Sequence, residues 1–179
     1  ENLRDRLLSD LAVIADAHES YVYQFLDGLK SRTVDFSSDG FIRNRLTAAV
    51  RGDRRSQTEL SAYLVWNRKP IDRALDGIIV TGPDGKIVAS TDKTAPGSSL
   101  SANEAFLQAV KNGPSLSAEG RWIMVSAPVR KSPNGPIIGV LINRFSVRDF
   151  QGVLSGTLSK DAGAISWNAG RPKSMQIYL

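Results

Sequence analysis

The sequence predicts an α+β fold, in which an antiparallel sheet is flanked by a long N-terminal helix and by shorter helices. Three observations support this prediction. Apolar side chains repeat with a helical period over the first 32 residues. Residues 77–90 and 121–146 instead hold short apolar segments separated by turns rich in Gly, Pro and Asn. Helical patterns precede and separate these two segments, so the helices and the strands belong to one domain.

Residues 1–32 are predicted to form one long helix. Its seam repeats at spacings of 4, 3, 4, 3 and 4 residues and consists of Leu7, Leu11, Ile14, His18, Tyr21 and Phe25. A period of 3.5 is typical of a coiled coil, and a helix of about 30 residues is about 45 Å long. We therefore expect the seam to form a dimer contact on a projecting rod. The alternative is an amphipathic helix lying on its own sheet, and both can hold along different parts of the helix.

Shorter helices are predicted between residues 37 and 75. Ser37, Ser38 or Asp39 can cap the first of them, since short polar side chains accept hydrogen bonds from free N–H groups at a helix start. The last helical face includes Tyr63 and Trp66 and ends before Pro70.

Two β-hairpins are predicted in the second half of the chain. Residues 77–81 and 86–90 flank the turn GPDG, in which Pro fixes φ and Gly tolerates positive φ. Residues 122–129 and 136–145 form the second pair, which is apolar on both faces and therefore central in the sheet. Between the hairpins, Ser101 and Glu104 match a capping box for a short helix. A last helix is predicted over residues 147–158.

Composition excludes several classes of function. The net charge is +5, but the basic residues are scattered, so nucleic-acid binding is not expected. The chain has no Cys and one His, which argues against a metal site. No Ser/His/Asp set and no phosphate-binding loop can be assembled, and the aspartates Asp72, Asp76 and Asp84 are explained by turns and helix ends. We expect neither an enzyme nor a cofactor.

Four segments in order carry a resemblance to a known family: LDGIIVTGPDGKIVASTD (75–92), PGSSLSANEAFLQAV (96–110), RWIMVSAPV (121–129) and GPIIGVLINRFSVRDFQGVL (135–154). With the long entry helix, they resemble the extracytoplasmic Cache sensor domains, which are PAS-like ligand-binding modules of bacterial transmembrane receptors. The resemblance covers roughly residues 1–155. It implies a sensor module over residues 33–160 and, in residues 161–179, a connector or the start of a second, truncated module. It also implies a membrane helix before Glu1 and a cytoplasmic output module, and the chain is expected to be a piece of that longer protein.

The resemblance further implies a ligand site on one face of the sheet. By position, its walls comprise Tyr63, Trp66, Phe106, Arg121, Trp122, Met124, Ser126 and Arg144. Amino-acid-binding members carry an Arg-x-Trp-Tyr element near the short helix and an Asp on the last strand. Here the helix reads SANEAFLQA, and Arg144 stands in the place of that Asp. An α-amino acid is therefore disfavoured, and an organic acid or another anion is expected, because a guanidinium binds carboxylates through two donors.

The sequence is equally compatible with purely structural roles for the same residues. Arg144 can instead lie in solvent or pair with Asp149, and Trp122 can be a core or lid aromatic. Tyr63 and Trp66 can be ordinary helix-to-sheet packing, Met124 can be plain core, and Ser126 can be a buried hydroxyl bonded to backbone.

The sequence thus predicts the periplasmic, small-molecule-sensing domain of a transmembrane receptor such as a histidine kinase, a chemoreceptor or a diguanylate cyclase. It is expected to be a homodimer tethered to the membrane. The alternative is a module of the same fold that binds no ligand and serves in dimerisation or protein contact.

Overall fold

The computed structural model of the chain describes residues 3–72, 74–92 and 96–148, excluding the side chains of residues 3–7 and 9. Over these ranges the helices are α1 (Leu3–Ser37), α2 (Gly40–Val50), α3 (Arg54–Tyr63) and α4 (Glu104–Asn112). A π-helical turn (Leu64–Arg68) and a 3-10 turn (Lys69–Ile71) follow α3. The strands are β1 (Leu75–Thr81), β2 (Ile87–Ser90), β3 (Ser115–Glu119), β4 (Trp122–Arg130) and β5 (Ile137–Ser146). Most of the predicted helix 147–158, and all of residues 161–179, lie outside the described residues.

The five strands form one antiparallel sheet in the order β2-β1-β5-β4-β3. The predicted fold class and both predicted hairpins, β1–β2 and β4–β5, are confirmed. Strand β3 was not predicted, and it pairs with β4 across a turn at Gly120, whose φ is +58°. The central strand is β5, which lies between β1 and β4. It is therefore hydrogen-bonded on both edges.

The two faces of the sheet carry different helices. On the first face, here called the α1 face, α1, α2 and α3 cover the buried side chains Ile78, Val80, Val125, Leu141 and Phe145. On the second, the α4 face, α4 covers Ile79, Met124, Val140 and Ile142. Because both faces of the central strands are covered, these strands carry apolar side chains on both faces, as the second hairpin predicted.

Helix α1 is longer than predicted and packs along only part of its length. Its C-terminal half buries Phe25, Leu29 and Phe36 in the core of the α1 face. Its N-terminal half exposes most of the predicted seam, namely Leu11, Ile14, His18 and Tyr21. The prediction of a dimer contact at Phe25 is wrong, because only 8% of this side chain is exposed and it packs against its own sheet. The side chain of Leu7 is outside the described set.

Two polar contacts hold α1 against the sheet. Arg32 forms an ion pair with the buried Asp72, which precedes β1. The hydroxyl of Thr33 accepts a hydrogen bond of 3.0 Å from Nδ2 of Asn143 on β5, and both residues are fully buried. The helix is therefore joined to β5 and to the segment before β1 by side chains as well as by apolar packing.

The cap of α4 also differs from the prediction. Asn103, not Ser101, is the N-cap, and its Oδ1 accepts a hydrogen bond of 3.0 Å from the N–H of Ala105. Ser101 is held instead in a turn, where its hydroxyl bonds to that of Ser99. In the part of the chain that the structure describes, no helix has the length and apolar character to cross a membrane.

Asp39 joins α2 to the end of α3. Its Oδ1 accepts from the N–H of Ile42 at 2.9 Å, and its Oδ2 accepts from the hydroxyl of Tyr63 at 3.1 Å and pairs with Arg68. Burial alone raises the pKa of this carboxyl, but the Ile42 N–H, the charge of Arg68 and the two side-chain hydrogen bonds outweigh burial. The net effect lowers the pKa of Asp39.

We expect Asp39→Ala to lower the free energy of unfolding by about 1–2 kcal/mol, because the cap of α2 is lost. Asp39→Asn keeps the cap acceptor but removes the charge, and it replaces Oδ2, the acceptor for Tyr63 and Arg68, by an amide NH2 group. Because the folded-state pKa is lowered, the charge stabilises the fold above the ordinary pKa of about 3.9, and this contribution is lost as the pH falls below it. Urea unfolding between pH 3 and 7 should therefore show a shallower acid loss for Asp39→Asn than for the wild type. Parallel pH profiles would contradict this prediction.

Gly139 on β5 is expected to tolerate no side chain. A Cβ there would lie 2.0 Å from the carbonyl oxygen of Thr81 and 2.8 Å from Cδ2 of Leu46. Gly139→Ala should therefore destabilise the fold by at least about 1–3 kcal/mol, the usual cost of overpacking, because backbone must move. Gly40→Ala is the matched control, since the nearest atom to its Cβ is 3.6 Å away. Equal unfolding midpoints for the two variants would show that the strand spacing adapts.

Candidate functional site

The α4 face of the sheet is divided into a packed half and a polar half. In the packed half, Ala105, Phe106 and Ala109 of α4 lie on the apolar side chains of β1, β4 and β5. The polar half lies toward the start of β4 and the end of β5. Five residues meet there, and we call them the Trp122 cluster: Asp76, Asp92, Arg121, Trp122 and Arg144.

Arg144 takes its position from the register of β5. It is paired with Gly77 on β1 and with Met124 on β4, which directs its side chain to the α4 face. The guanidinium lies over Gly77, where a Cβ would be 3.2 Å from Nη2 and 3.6 Å from Nε. Gly77 thus provides the space that the arginine occupies.

Two carboxylates bind the Arg144 guanidinium. Nε and Nη2 donate to Oδ2 of Asp76 at 3.2 and 2.9 Å, and Nη2 also donates to Oδ2 of Asp92 at 2.6 Å. The side chain of Arg144 is 18% exposed, against 36% for Asp76 and 23% for Asp92. The arginine is therefore the most buried member of the charged trio.

Trp122 is contacted by two cations. The guanidinium carbon of Arg144 lies 4.7 Å from the ring centroid, and that of Arg121 lies 4.5 Å from it. Both distances are within the range of a cation–π interaction. With Asp76 and Asp92, the cluster contains two positive and two negative charges around one large aromatic surface.

The predicted site residues are only partly brought together. Arg121, Trp122 and Arg144 meet in the cluster. Phe106, Met124 and Ser126 lie on the same face but in its packed half, where 5%, 5% and 0% of each is exposed. The hydroxyl of Ser126 is occupied, because it donates to the carbonyl of Ala105 at 2.8 Å and bonds to the hydroxyl of Ser115.

Tyr63 and Trp66 do not join this group, which corrects the expectation that they share its pocket. Tyr63 packs against the core of the α1 face, on the other side of the sheet, as ordinary helix packing. Trp66 lies on the π-helical turn after α3, with 77% of the residue exposed. The chain places the whole α2–α3 region on the α1 face, so no residue of it reaches the α4 face through the sheet.

Asp76 and Asp92 were missed as site residues by the sequence reasoning. Asp76 was assigned to a turn, and the expected partner Asp149 lies outside the described residues. The signal was present in the first hairpin, because Asp76 is the second residue of β1 and Asp92 follows the end of β2. Antiparallel pairing of Ile79 with Ser90 brings these two ends to one edge of the sheet.

The two carboxylates alter the electrostatic argument about the ligand. A ligand ammonium was disfavoured because Arg144 alone would repel it. With Asp76 and Asp92 within hydrogen-bond distance of the guanidinium, the site offers negative as well as positive charge. Among the described residues, no three His, Asp or Glu side chains are grouped so that they could hold a metal ion.

Comparison with known proteins shows similarity at the level of structure. No family model matches the chain, and no curated protein matches it. The sensor domain of the histidine kinase DctB from V. cholerae is similar with a TM-score of 0.65 and 18% identity, over 80% of this chain and 57% of that one. This chain has the sensory-domain fold. The fold expected from the sequence resemblance is thereby confirmed.

Two chemoreceptor structures show the same likeness. One is the sensory domain of Campylobacter jejuni Tlp3 with isoleucine bound, with a TM-score of 0.66 and 18% identity over 86% of this chain and 64% of that one. The other is the ligand-binding domain of Pseudomonas fluorescens CtaA in complex with L-serine, with a TM-score of 0.62 and 12% identity over 83% and 63%. The chain thus spans less than two thirds of the length of each of these three structures.

We expect Arg144→Gln to destabilise the fold by about 1–3 kcal/mol, because it leaves two partly buried carboxylates without their shared donor. Arg121→Gln is the control, since Arg121 is exposed and lies over the same ring. Its cost should stay within about 0.5 kcal/mol, as for other surface substitutions. Urea unfolding of both variants measures the difference. Equal costs would mean that the ion pairs of Arg144 contribute nothing to the fold.

Proposed function

We propose that the chain is the ligand-sensing domain of a transmembrane signalling receptor, that it lies outside the cytoplasm, and that its ligand is a small zwitterion bound at the Trp122 cluster. The sensory-domain fold supports the first part, since the similar structures are sensor domains of a histidine kinase and of chemoreceptors. The observation that carries the proposal is the meeting of two arginines and two aspartates beside Trp122, at the partly exposed end of the α4 face where β4 begins and β5 ends.

The ion pairs of Arg144 favour a zwitterion over a simple anion as the ligand of the Trp122 cluster. A ligand carboxylate must displace Asp76 or Asp92 from Arg144, and an anion alone would leave the released aspartate without its cationic partner. A zwitterion supplies an ammonium to that aspartate, so the number of ion pairs is preserved. Partly buried charges that lose their counter-charge are costly, and this difference favours a zwitterion as the ligand class. The side chain of the ligand packs on Trp122.

The positions of two neighbouring residues on β5 support a route from the ligand to α1. Arg144 points to the α4 face, and Asn143 points to the α1 face, where it donates to Thr33. On β1 and the segment before it, Asp76 binds Arg144 and Asp72 binds Arg32 of α1. A ligand that binds better to one arrangement of these strands shifts α1 by that difference in affinity, and tight binding alone shifts nothing.

The N-terminal half of α1 supports a homodimer and a connection to the membrane. It exposes apolar and aromatic side chains along the predicted seam and next to it: Leu8, Leu11, Val13, Ile14, Tyr21 and Tyr23. A second copy of α1 would bury the seam members of this set, Leu11, Ile14 and Tyr21, in a coiled coil, whereas Val13 and Tyr23 lie away from the seam. We place the sensor module at residues 33–160 and take residues 161–179 as a connector or as the start of a second module. Any output activity lies in other parts of the receptor.

A ligand screen tests the proposal. We expect isothermal titration calorimetry and thermal unfolding to detect one or more L-amino acids, with a stabilisation of about 2.7 kcal/mol at 100 times Kd. Four-carbon dicarboxylates should bind weakly or not at all. Arg144→Gln should abolish binding. The double variant Asp76→Asn, Asp92→Asn should weaken amino acids selectively, because the ammonium loses its partners.

Arg54→Gln is the control in this screen, because Arg54 is an exposed arginine at the start of α3, in the layer on the opposite face of the sheet. Binding of dicarboxylates that survives the double aspartate variant, with no binding of amino acids, would replace the zwitterion by an anion. Absence of any binding would favour the second candidate function, a dimerisation or protein-contact module of the same fold. The fact that Arg144 is already paired within the chain supports that candidate.

A further inference from the structure

A concave site lies at the opposite end of the sheet from the Trp122 cluster. It is an open hollow of about 380 Å³ between the end of α1, the connection from α4 to β3, and the turn between β4 and β5. Trp122 begins β4 and Arg130 ends it, so the two sites are separated by the length of a nine-residue strand, about 26 Å at about 3.3 Å per residue. The hollow and the cluster therefore share no residues.

The charged and polar groups of the hollow are positive or neutral. Two arginines line it, Arg43 from α2 and Arg130 from β4, and no acidic side chain is among the described residues that line it. Arg130 donates one N–H, from Nη1, to the carbonyl of Gly135 at 3.0 Å and retains its other donors. In the described ranges, neither the guanidinium of Arg43 nor the hydroxyl of Ser132 has a hydrogen-bond or ion-pair partner. These three donors are available to an anion.

The apolar lining is rigid. Pro114, Pro128 and Pro133 contribute pyrrolidine rings, and Val34 contributes the last apolar side chain of α1 at this place. Proline fixes φ and has no N–H, so these walls lose little conformational entropy on binding and leave no unsatisfied donor. The volume is within the range of small-molecule sites, about 300–1,000 Å³.

We propose that the hollow binds a small organic carboxylate with an apolar body, such as an aromatic or branched aliphatic acid. The carboxylate is held by Arg43 and Arg130, which suit it because a guanidinium offers paired planar donors. The apolar body rests on the proline rings. This site differs in chemistry from the Trp122 cluster, since its positive charge is not balanced by aspartates.

The hollow lies where a bound ligand would contact both the end of α1 and the β4–β5 turn. Val34, Ser37 and Ser38 belong to the end of α1 and the residue after it. The hydroxyls of Ser37 and Ser38 are already donated to Val34 and Asp35 carbonyls, so they hold the end of the helix rather than the ligand. An occupant joins this end of α1 to the β4–β5 turn.

The test is a titration of the isotopically labelled chain, followed by amide ¹H–¹⁵N spectra, with three probes: benzoate, its neutral analogue benzamide, and inorganic phosphate. Benzoate should give saturable shifts at Val34, Gly113 and Ser132, while the amides of the Trp122 cluster stay unchanged. Benzamide should bind at least about tenfold more weakly, because it lacks the charge. Phosphate should bind more weakly too, because it lacks the apolar body.

The matched variants are Arg43→Gln with Arg130→Gln, and Arg54→Gln as the control for loss of charge. The double variant should raise the Kd for benzoate at least about tenfold, and the control should leave it unchanged. Should the double variant fail to fold by circular dichroism, each single substitution is expected to raise the Kd on its own. Equal binding of benzamide or phosphate, an unchanged Kd in the arginine variants, or the same loss in Arg54→Gln would each overturn the proposal. The outcome is independent of whether the cluster binds a zwitterion.

Discussion

The structure depends on the position of β5 at the centre of a sheet that is covered on both faces. Successive side chains of a strand point to opposite faces, so the adjacent polar residues Asn143 and Arg144 enter different layers. Each must find partners there, because burial without hydrogen bonds is costly. Asn143 bonds to Thr33 of α1, although its Oδ1 has no partner among the described residues. Arg144 bonds to Asp76 and Asp92. One strand therefore links the packing of the helix to the charges of the candidate site.

The sequence predicted most of the fold because the long elements repeat their apolar residues regularly. Helix α1 and the two hairpins follow from period alone. Strand β3 was missed because SLSAE has little apolar character; it is an edge strand that is held by pairing with β4 and not by burial. The seam of α1 shows a limit of predicting burial from periodicity. The same period of 3.5 continues from exposed residues in the N-terminal part of the helix to Phe25, which is buried in the core. Periodicity gives the direction of a side chain, but not what covers it.

The candidate site was less predictable, because it depends on which elements share a face. Arg144 and Trp122 were found because they lie on strands whose positions the resemblance fixes. Asp76 and Asp92 are far apart in sequence and meet through the register of the first hairpin. Tyr63 and Trp66 were placed on the wrong side, since an amphipathic helix packs equally well on either face of an apolar sheet. The apolar pattern of a helix does not determine which face of the sheet it covers. Here the connection from α3 to β1 determines it.

The two ends of the sheet differ in charge, and α1 contacts neighbours of the Trp122 cluster at one end and lines the hollow at the other. At one end the charges of the Trp122 cluster balance, and β5 and the segment before β1 carry the connection to α1 through Thr33 and Arg32. At the other end the positive charges of Arg43 and Arg130 are unbalanced, and the last turn of α1 forms part of the wall. Ligands that favour different positions of one helix are linked, and linkage is reciprocal: each changes the affinity of the other by the same factor. A zwitterion at the Trp122 cluster and a carboxylate in the hollow would then both act on α1, and the position of the helix would depend on which of them is bound.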